Sequence, residues 1–253
     1  MASLEQLFVG QGKVYLAARN SAGLTSGYVP VGDADSLAVN TSQTFLDHQE
    51  SMSGNRSTVL HVPTQTVWNM SLNIQNWSPE NIAKAFYGTA SAAVAGGSVT
   101  GEAIVAYNNT MCPLAKPGVS AVTVTKTAGS VPLVLDTDYT LDAVNGTITI
   151  LPGSTVVPAG AGVPCTVNYT HTGYTSKVDA AMTTIQEYKI RFEGKNIADG
   201  GKAVIVELHR CALDMSKTLP LLSTTVMTLT MDGMLLADET QTAGSQYMTI
   251  IKK

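Results

Sequence analysis

Thr66-Val-Trp-Asn-Met-Ser-Leu-Asn-Ile-Gln75 alternates apolar and polar side chains from Trp68 onward. A period of two residues is the pattern of a β-strand that is buried on one face and open on the other. The alternation assigns two sets of side chains to opposite faces: Trp68, Met70, Leu72 and Ile74 on one, and Asn69, Ser71, Asn73 and Gln75 on the other. This stretch therefore predicts a long, half-buried strand, on which a mainly β fold is built.

A polar loop precedes this strand, and it reads Leu46-Asp-His-Gln-Glu-Ser-Met-Ser-Gly-Asn-Arg-Ser-Thr58. Another β-patterned run, from Leu37 to Phe45 and rich in Val, Thr and Leu, leads into it. Long loops within compact domains are usually either functional or disordered. We interpret this loop as an arm that becomes ordered against another subunit.

The composition is that of a weakly charged β-protein. The chain has 253 residues, which allows one large β domain or two smaller ones. Charged residues make up 13% of it, about half the usual share of a globular domain. Such a composition favours a surface that is largely covered by partners, although it fits a simple Thr-rich β-protein equally well.

Charge and cysteine content exclude several classes of protein. The formal net charge is −4, and Lys and Arg cluster no further than pairs such as Lys252-Lys253. A protein that reads nucleic acid needs a positive surface, which this sequence lacks. The three cysteines are far apart and form no CxxC motif, so we expect a reducing compartment rather than a disulfide framework.

One helix is clearly encoded after the long strand. Ser78 is a natural N-cap, Pro79 suits the first helical position, and Gly88 is expected to end the helix. Ile82, Ala85 and Phe86 would form its apolar face. Because it is short, the helix is expected to dock on a sheet.

The region from 105 to 172 differs from the rest and is interpreted as a small β module inserted into a domain of residues 1–104 and 173–253. Short strands alternate with prolines there, and Asn145-Gly146 predicts a type I′ hairpin turn. Loop insertions of this kind cost little stability. A continuous sandwich that includes these strands is the alternative interpretation.

The β pattern returns in the last third of the chain. From Thr184 to Glu193 the apolar face alternates with a charged face that carries Glu187, Lys189, Arg191 and Glu193. That face is either solvated or lines a wet channel or subunit boundary. Three further strands are predicted at Val204–Leu208, Leu222–Asp232 and Tyr247–Ile251.

No arrangement of residues predicts catalysis, a bound cofactor or a metal site. The four histidines have no metal-ligand spacing, and no GxSxG motif or P-loop is present. Asp33-Ala-Asp35 and Asp136-Thr-Asp138 resemble partial calcium loops but lack the remaining ligands, so they are assigned to turns. We therefore expect a protein that is not an enzyme.

Several segments, taken in order, resemble the major tail tube protein of long-tailed, siphovirus-like bacteriophages. The resemblance covers about residues 10–90 and 180–235 and does not extend to 105–172. It rests on six segments: Gly12-Lys-Val-Tyr-Leu-Ala17, Val31-Gly-Asp-Ala-Asp35, the loop up to Arg56, Ser78-Pro-Glu-Asn-Ile-Ala83, Ile190-Arg-Phe-Glu-Gly-Lys-Asn196 and Val204–Leu208.

The resemblance implies a β-sandwich or barrel with one flanking helix that assembles as hexameric rings stacked into a tube. It implies a virion (tail) protein made in the host cytoplasm, with the tape measure, terminator and distal tail proteins as further partners. Genomic DNA would pass through the tube without specific binding, and no membrane would be involved. Six copies at −4 give a formal −24 per ring, which would repel phosphates.

Two sets of residues are expected to serve this assembly. The inter-subunit or inter-ring contacts are assigned to the loop residues Asp47, Glu50, Ser51, Gly54 and Arg56. Two candidate faces line the lumen: Glu187, Lys189, Arg191 and Glu193, or Asn69, Ser71, Asn73 and Gln75. The alternative function is a β-sandwich adhesin or receptor-binding virion protein, in which 105–172 carries recognition.

Overall fold

The structure, a computed structural model, describes residues 7–20, 22–23, 26–52 and 54–253. The first six residues of the predicted N-terminal domain and Ser53 of the predicted loop lie outside the described residues. The chain divides into two compact units, unit 1 (Met1–Ala90 and Val178–Lys253) and unit 2 (Ser91–Lys177). Both units are built from antiparallel strands, and the mainly β fold class predicted from the sequence is confirmed.

Unit 1 is organised around one eight-stranded sheet. Its strands are β1 (Gly10–Arg19), β2 (Val29–Pro30), β3 (Ala34–Gln49), β4 (Thr58–Ile74), β14 (Glu187–Asn196), β15 (Lys202–Leu213), β16 (Leu229–Leu235) and β17 (Met248–Lys252). The order is β2-β1-β14-β15-β16-β4-β3, and β17 pairs with β15 beside β16. Among the described residues the sheet is open, with β2 and β3 at its ends.

One face of this sheet encloses the core of unit 1. Side chains from both halves of the sheet, such as Leu16 and Ile190 from one and Leu72 and Met231 from the other, meet in a single buried cluster. As predicted, Met70, Leu72 and Ile74 are almost completely buried, and Trp68 packs against the cluster. Because the apolar side chains of each strand face this core, the side chains that alternate with them face outward.

The single α-helix among the described residues is α1 (Pro79–Ala85), and it packs on the same core. Its predicted start is confirmed: the side chain of Ser78 accepts a hydrogen bond from the backbone N–H of Asn81. The predicted apolar face is confirmed, since Ala85 belongs to the core cluster and Ile82 and Phe86 pack against it. Asn81 and Ala83 are buried as well. Asn81 tolerates burial because its amide donates to the carbonyls of Val31 (2.8 Å) and Asn76 (3.1 Å).

The helix ends differently from the prediction. Phe86 is its C-cap, and Tyr87, not Gly88, adopts the left-handed backbone conformation with φ of 49°. The Tyr87 hydroxyl donates a 2.6 Å hydrogen bond to the carbonyl of Leu213, which holds the residue in place. Gly88 is required for a different reason, since a Cβ there would lie 2.5 Å from the carbonyl oxygen of Asp179.

Unit 2 has its own strands and its own core. Its strands are β6 (Gly97–Ala106), β7 (Met111–Pro113), β8 (Val119–Lys126), β9 (Val131–Pro132), β10 (Tyr139–Asp142), β11 (Thr147–Ile150) and β12 (Val163–His171). They form the sheets β6-β12-β8-β9 and β10-β11-β7 around a separate buried cluster that includes Val124, Ile148 and Val167. The unit is wider than the predicted 105–172 because β6 pairs with β12 along its whole length.

The two crossings of the chain between the units lie in a short strand pair. β5 (Thr89–Ser91) pairs with β13 (Lys177–Asp179) in a two-stranded sheet. The ends of unit 1 that flank unit 2 therefore lie on neighbouring strands.

Two local predictions were wrong. The strand expected at Leu222–Asp232 begins only at Leu229, where pairing with Ile74 of β4 begins. The Asn145-Gly146 turn is not type I′, because Asn145 does not have a positive φ. Instead the Asp142 carboxylate accepts hydrogen bonds from the backbone of residues 144 and 145, and Gly146 alone is left-handed.

The three cysteines, Cys112, Cys165 and Cys211, are buried and unbridged. Within the described residues no helix has the length and apolar character needed to cross a membrane.

Candidate assembly interface

The hairpin of β3 and β4 changes character halfway along its length. Up to Asn40 on β3, and from Trp68 on β4, its side chains alternate between the core and solvent. Beyond that point, from Thr41 to Gln49 and from Thr58 to Thr66, every residue is exposed on both faces. We call residues 41–66 the arm; at about 3.3 Å per residue its strands extend roughly 27 Å.

The arm is a paired ladder with a short turn, not the long loop that the sequence predicted. β3 continues to Gln49, and Glu50 donates its backbone N–H to the carbonyl of Ser57 at 2.9 Å. Only residues 50–57 form the turn. Strand pairing continues because backbone hydrogen bonds satisfy both strands even where neither face is covered.

The two faces of the arm differ in chemistry. On one face Phe45 stacks on His61, with ring centroids 4.1 Å apart, and His61 Nδ1 lies 2.5 Å from a carboxylate oxygen of Asp47. The other face carries three exposed aliphatic side chains that are in contact with no core. We call these the apolar arm face: Leu46, Leu60 and Val62.

The predicted contact residues are distributed over the outer part of the arm. Asp47 lies within β3 and already pairs with His61, so it is not a loop residue. Glu50 accepts a hydrogen bond from the backbone of Met52, Ser51 lies in the turn, and Gly54 has a positive φ of 77°. The structure therefore brings the five predicted residues together at the far end of the hairpin.

Arg56 differs from the other predicted contact residues. It is exposed in the turn with φ of 48°, and its guanidinium contacts no acceptor among the described residues. Beside it in the same turn Met52 is 95% exposed. The tip of the arm thus presents a flexible apolar side chain and an unpaired cation to solvent.

The two candidate lumen faces lie on different halves of the sheet. Glu187, Lys189, Arg191 and Glu193 lie on the outer face of β14, between β1 and β15. Within this face Arg191 binds Glu193 at 2.6 Å and also Glu207, while Lys189 lies 3.4 Å from Glu207. Including the neighbouring strands, the face carries three anions, Glu187, Glu193 and Glu207, and six cations: Lys13, Arg19, Lys189, Arg191, Lys195 and Arg210.

The second candidate face is almost uncharged. Asn69, Ser71 and Asn73 lie on β4 between β3 and β16, where Asn73 donates to Ser36 at 2.8 Å and accepts from Thr230 at 2.7 Å. Gln75 lies just beyond the strand. The whole face across the three strands contains one carboxylate and no cation: Ser36, Ala38, Asn40, Asn69, Ser71, Asn73, Thr230, Asp232 and Met234.

A buried polar cluster anchors the C-terminal segment to the charged half of the sheet. The two terminal nitrogens of Arg19 donate hydrogen bonds to the carboxylate of Asp238, at 3.0 and 3.1 Å. Both side chains are almost fully buried. Burial alone would raise the pKa of Asp238, but hydrogen bonds from Thr240 and the charge and hydrogen bonds of Arg19 lower it below its usual value. This cluster is structural, since each charged group in it has a partner.

His209 lies beside this cluster on β15. Its ring is buried, Nε2 is 3.1 Å from the Thr249 hydroxyl of β17, and Nδ1 has no partner. Burial lowers its pKa below the usual value, and the nearby charge of Lys189 lowers it further. We assign it to the packing of β17, because no group of His, Cys, Asp and Glu in the described residues has the arrangement of a metal site.

Sequence reasoning missed the apolar arm face and two acidic residues. The apolar run from Val59 to Val62 was the available signal, but it follows the predicted loop and was assigned to no element. Asp33 and Asp35 were assigned to turn formation, but neither carboxylate accepts a hydrogen bond from a described residue, and both are exposed. Both residues lie at the start of β3 and line a cleft between this strand and the inner face of β1, β14 and β15.

Comparison with known proteins identifies a family but assigns it no activity. No curated protein matches the chain. The family described as "Protein of unknown function UCP028589" matches residues 7–251, which is nearly the whole chain. The protein therefore belongs to this uncharacterised family.

Proposed function

We propose that the protein is a structural subunit that polymerises, as hexameric rings stacked into a tube, to form the tail tube of a long-tailed bacteriophage. The single observation that carries this proposal is the arm. A two-stranded ladder exposed on both faces, with an apolar side along it, is marginally stable in water and invites pairing with another chain. Its length suits it to contact a neighbouring copy.

The open sheet supports the same conclusion. β3 is the terminal strand of the sheet order, so one edge of a 16-residue strand is left without a β partner among the described residues. Long unpaired edges are otherwise a risk for aggregation, and a closed ring of identical subunits removes them. Tubular assembly therefore explains why the edge is long and not blocked by short strands or prolines.

Of the two candidate lumen faces, we assign the lumen to the uncharged face that contains Asn69, Ser71 and Asn73. The alternative face is rich in cations, of which Lys13 and Lys195 are exposed and would bind phosphates of a passing duplex. The uncharged face contributes one carboxylate, Asp232, from each subunit. A wall of amides and hydroxyls with a ring of weak negative charge lets DNA slide without binding it.

Electron microscopy of the purified protein and of an arm-deleted variant tests the function. In the variant, Gln43 is joined to Thr66 through an Asn-Gly turn, which retains the base of the hairpin. We expect the wild-type protein to form rings or tubes with a central hole and the variant to remain a folded monomer. A wild-type protein that stays monomeric under all conditions would refute the proposed function.

Unit 2 provides the matched control and the test of the second candidate function. Because β5 and β13 pair, residues 90 and 178 can be joined by a short Gly-Ser linker. The separate core of unit 2 favours a module that can be removed, as in an adhesin whose recognition lies in the insert. If the shortened protein forms normal tubes, unit 2 is decoration; if only unit 2 has a measurable activity, such as binding to cells, the adhesin is favoured.

The lumen assignment has its own test. We expect a cysteine introduced by Ser71→Cys to react slowly with a bulky maleimide in assembled tubes and quickly in the monomer. Glu193→Cys is the control on the other face and should react quickly in both forms. The three native cysteines are buried, so they contribute little labelling. The reverse pattern of reactivity would assign the lumen to the charged face.

A further inference from the structure

A cleft of about 810 Å³ opens between the start of β3 and the inner face of β1, β14 and β15. A volume in this range is enough to bury a drug-sized ligand, and hence several side chains. The cleft reaches the core, since the almost completely buried Leu208 forms part of its wall. Its apolar lining is Phe8, Val14, Leu37, Val39, Phe192 and Val206.

Two acidic side chains lie at this cleft. Asp33 and Asp35 both line it, and both are exposed. Neither carboxylate has a hydrogen-bond or ion-pair partner among the described residues. The cleft therefore combines an apolar wall with two unpaired, exposed anions in its lining.

The tip of the arm is complementary to this cleft both in its apolar character and in its charge. Met52 is an exposed, flexible apolar side chain, and Arg56 is an exposed guanidinium without a partner in the described residues. Methionine adapts to irregular apolar cavities. Arginine binds carboxylates through two parallel hydrogen bonds, which a pair of aspartates readily accepts.

The arm cannot reach the cleft of its own chain. Asp35 and Gln49 are at opposite ends of the same strand, about 45 Å apart at the rise of a β-strand. The ladder with β4 is paired along that whole length, so the hairpin does not fold back. The complementary surfaces can therefore meet only between copies of the protein.

We propose that the cleft at the start of β3 is the socket for the arm tip of a second copy of this chain, with Met52 inside it and Arg56 bound to Asp33 and Asp35. This inference rests on the proposed function and specifies its contact. Because the tip and the socket are different surfaces, the contact is head-to-tail and leaves one of each free at the ends of any open assembly. It therefore propagates into rings or stacks instead of stopping at a dimer.

A charge-swap experiment on the full-length protein tests the pairing. We expect Arg56→Glu, and separately the double variant Asp33→Arg with Asp35→Arg, to raise the concentration needed for assembly at least 10-fold. The triple variant that combines these changes should return to within about 3-fold of the wild-type protein, since the pair is restored with reversed charges. Lys217→Glu is the control, because it changes the net charge as Arg56→Glu does at an exposed site on neither surface.

Cross-linking provides the second measurement and does not depend on how the charge variants behave. In the variant Asp35→Cys with Arg56→Cys, a short bis-maleimide should link assembled subunits into a ladder on a denaturing gel. The variant Lys217→Cys with Arg56→Cys is the control and should give no ladder, since the exposed Lys217 belongs to neither the cleft nor the arm tip. The buried native cysteines leave the introduced pair as the reactive sites.

The outcomes separate this inference from the proposed function. Tubes that form normally from Arg56→Glu, or that contain no link between positions 35 and 56, overturn the socket and leave tube formation standing. A triple variant that is folded by tryptophan fluorescence but does not assemble also overturns it. A wild-type protein that never assembles overturns both.

Discussion

The two halves of the β3–β4 hairpin share the same strands and the same ladder but have opposite surroundings. In the base half Met70, Leu72 and Ile74 are almost fully buried; in the arm Leu46, Leu60 and Val62 lie in solvent. Backbone pairing continues through both halves, although two of its three register shifts lie in the arm. The difference teaches that local pairing is sufficient to form the strands, whereas burial depends on what other part of the protein, or what other copy, covers them.

The largest contrast is expected between two carboxylate contacts: Arg19–Asp238 in the folded body and Asp47–His61 in the arm. Asp238→Asn leaves Arg19 charged and buried, and we expect it to lower the free energy of unfolding of unit 1 by about 3–5 kcal/mol. Asp47→Asn is the matched change in the arm, where Asp47 and His61 are more than half exposed. It should cost about 0–1 kcal/mol.

Urea unfolding followed by tryptophan fluorescence measures this contrast. Both tryptophans, Trp68 and Trp77, lie in unit 1, so the signal reports that unit alone. Equal losses for the two variants would mean that the arm is part of the cooperative core and would break the comparison.

Core and arm leucines give the next contrast. Leu72 is completely buried between β3 and β16, and Leu72→Ala should cost about 2–5 kcal/mol in the monomer. Leu60→Ala removes the same atoms from an exposed site and should change monomer stability by less than about 0.5 kcal/mol. Leu60→Ala should instead weaken assembly, which sedimentation velocity detects. A loss of monomer stability without a loss of assembly would contradict the assignment of the apolar arm face to contacts between subunits.

Acid should destabilise the folded body more than the arm. Hydrogen bonds from Arg210 lower the pKa of Glu187, and contacts with Thr240 and Arg19 lower that of Asp238 against the effect of burial. A lowered pKa means that the stabilisation is present above the unfolded pKa, about 4, and is lost as the pH falls through the folded value. Unfolding of unit 1 should therefore begin below about pH 4–5 from these groups.

His209 adds a shallower dependence at higher pH. Its pKa is lowered by burial and by Lys189, while Glu207 and Asp238 oppose the shift and Arg19 adds to it. As the pH falls below the unfolded value of about 6.5, the unfolded chain binds the proton first, and stability declines by at most about 1.4 kcal/mol per pH unit. His209→Gln should remove this slope between pH 7 and 5; a slope unchanged in the variant would show that another group is responsible.

The comparison also explains how far the sequence could predict the fold and the interface. The alternation from Trp68 to Ile74 and the cap at Ser78 are local patterns, and both were read correctly. The arm was not, because the sequence predicted a long polar loop after Phe45. The continuation of the ladder to Gln49 and the exposure of Val59–Val62 are properties of the tertiary structure. The Arg19–Asp238 pair joins residues 219 positions apart, and no pattern in the sequence connects them.

Part of the proposed interface was already expected from the sequence, and it remains a prediction. Gly54 was selected because glycine lets the loop turn, and Arg56 because its guanidinium offers a forked donor to a carboxylate of a neighbouring subunit. Asp33 and Asp35 were assigned to a turn, since an acidic pair before a strand is usually turn chemistry. The folded sheet places Asp33 and Asp35 in the lining of a cleft, which the sequence does not show. The length of β3 keeps the arm of the same chain away from that cleft.

The smallest expected effect concerns the backbone of the turn itself. Gly54 has φ of 77° with open space around the site of a Cβ, so Gly54→Ala meets no clash and pays only for the left-handed conformation, about 1 kcal/mol. The destabilisation should be confined to the arm. Amide exchange near residues 47–61 should become faster, while the unfolding free energy of unit 1 should not change.

Gly27→Ala is the control, because Gly27 also has open space around the site of a Cβ but no positive φ. This substitution should be neutral or slightly stabilising. If Gly54→Ala instead lowered the stability of the whole unit, the arm would be coupled to the core through the ladder, and the exposed half of the hairpin would not be the independent element that docking on a neighbour requires.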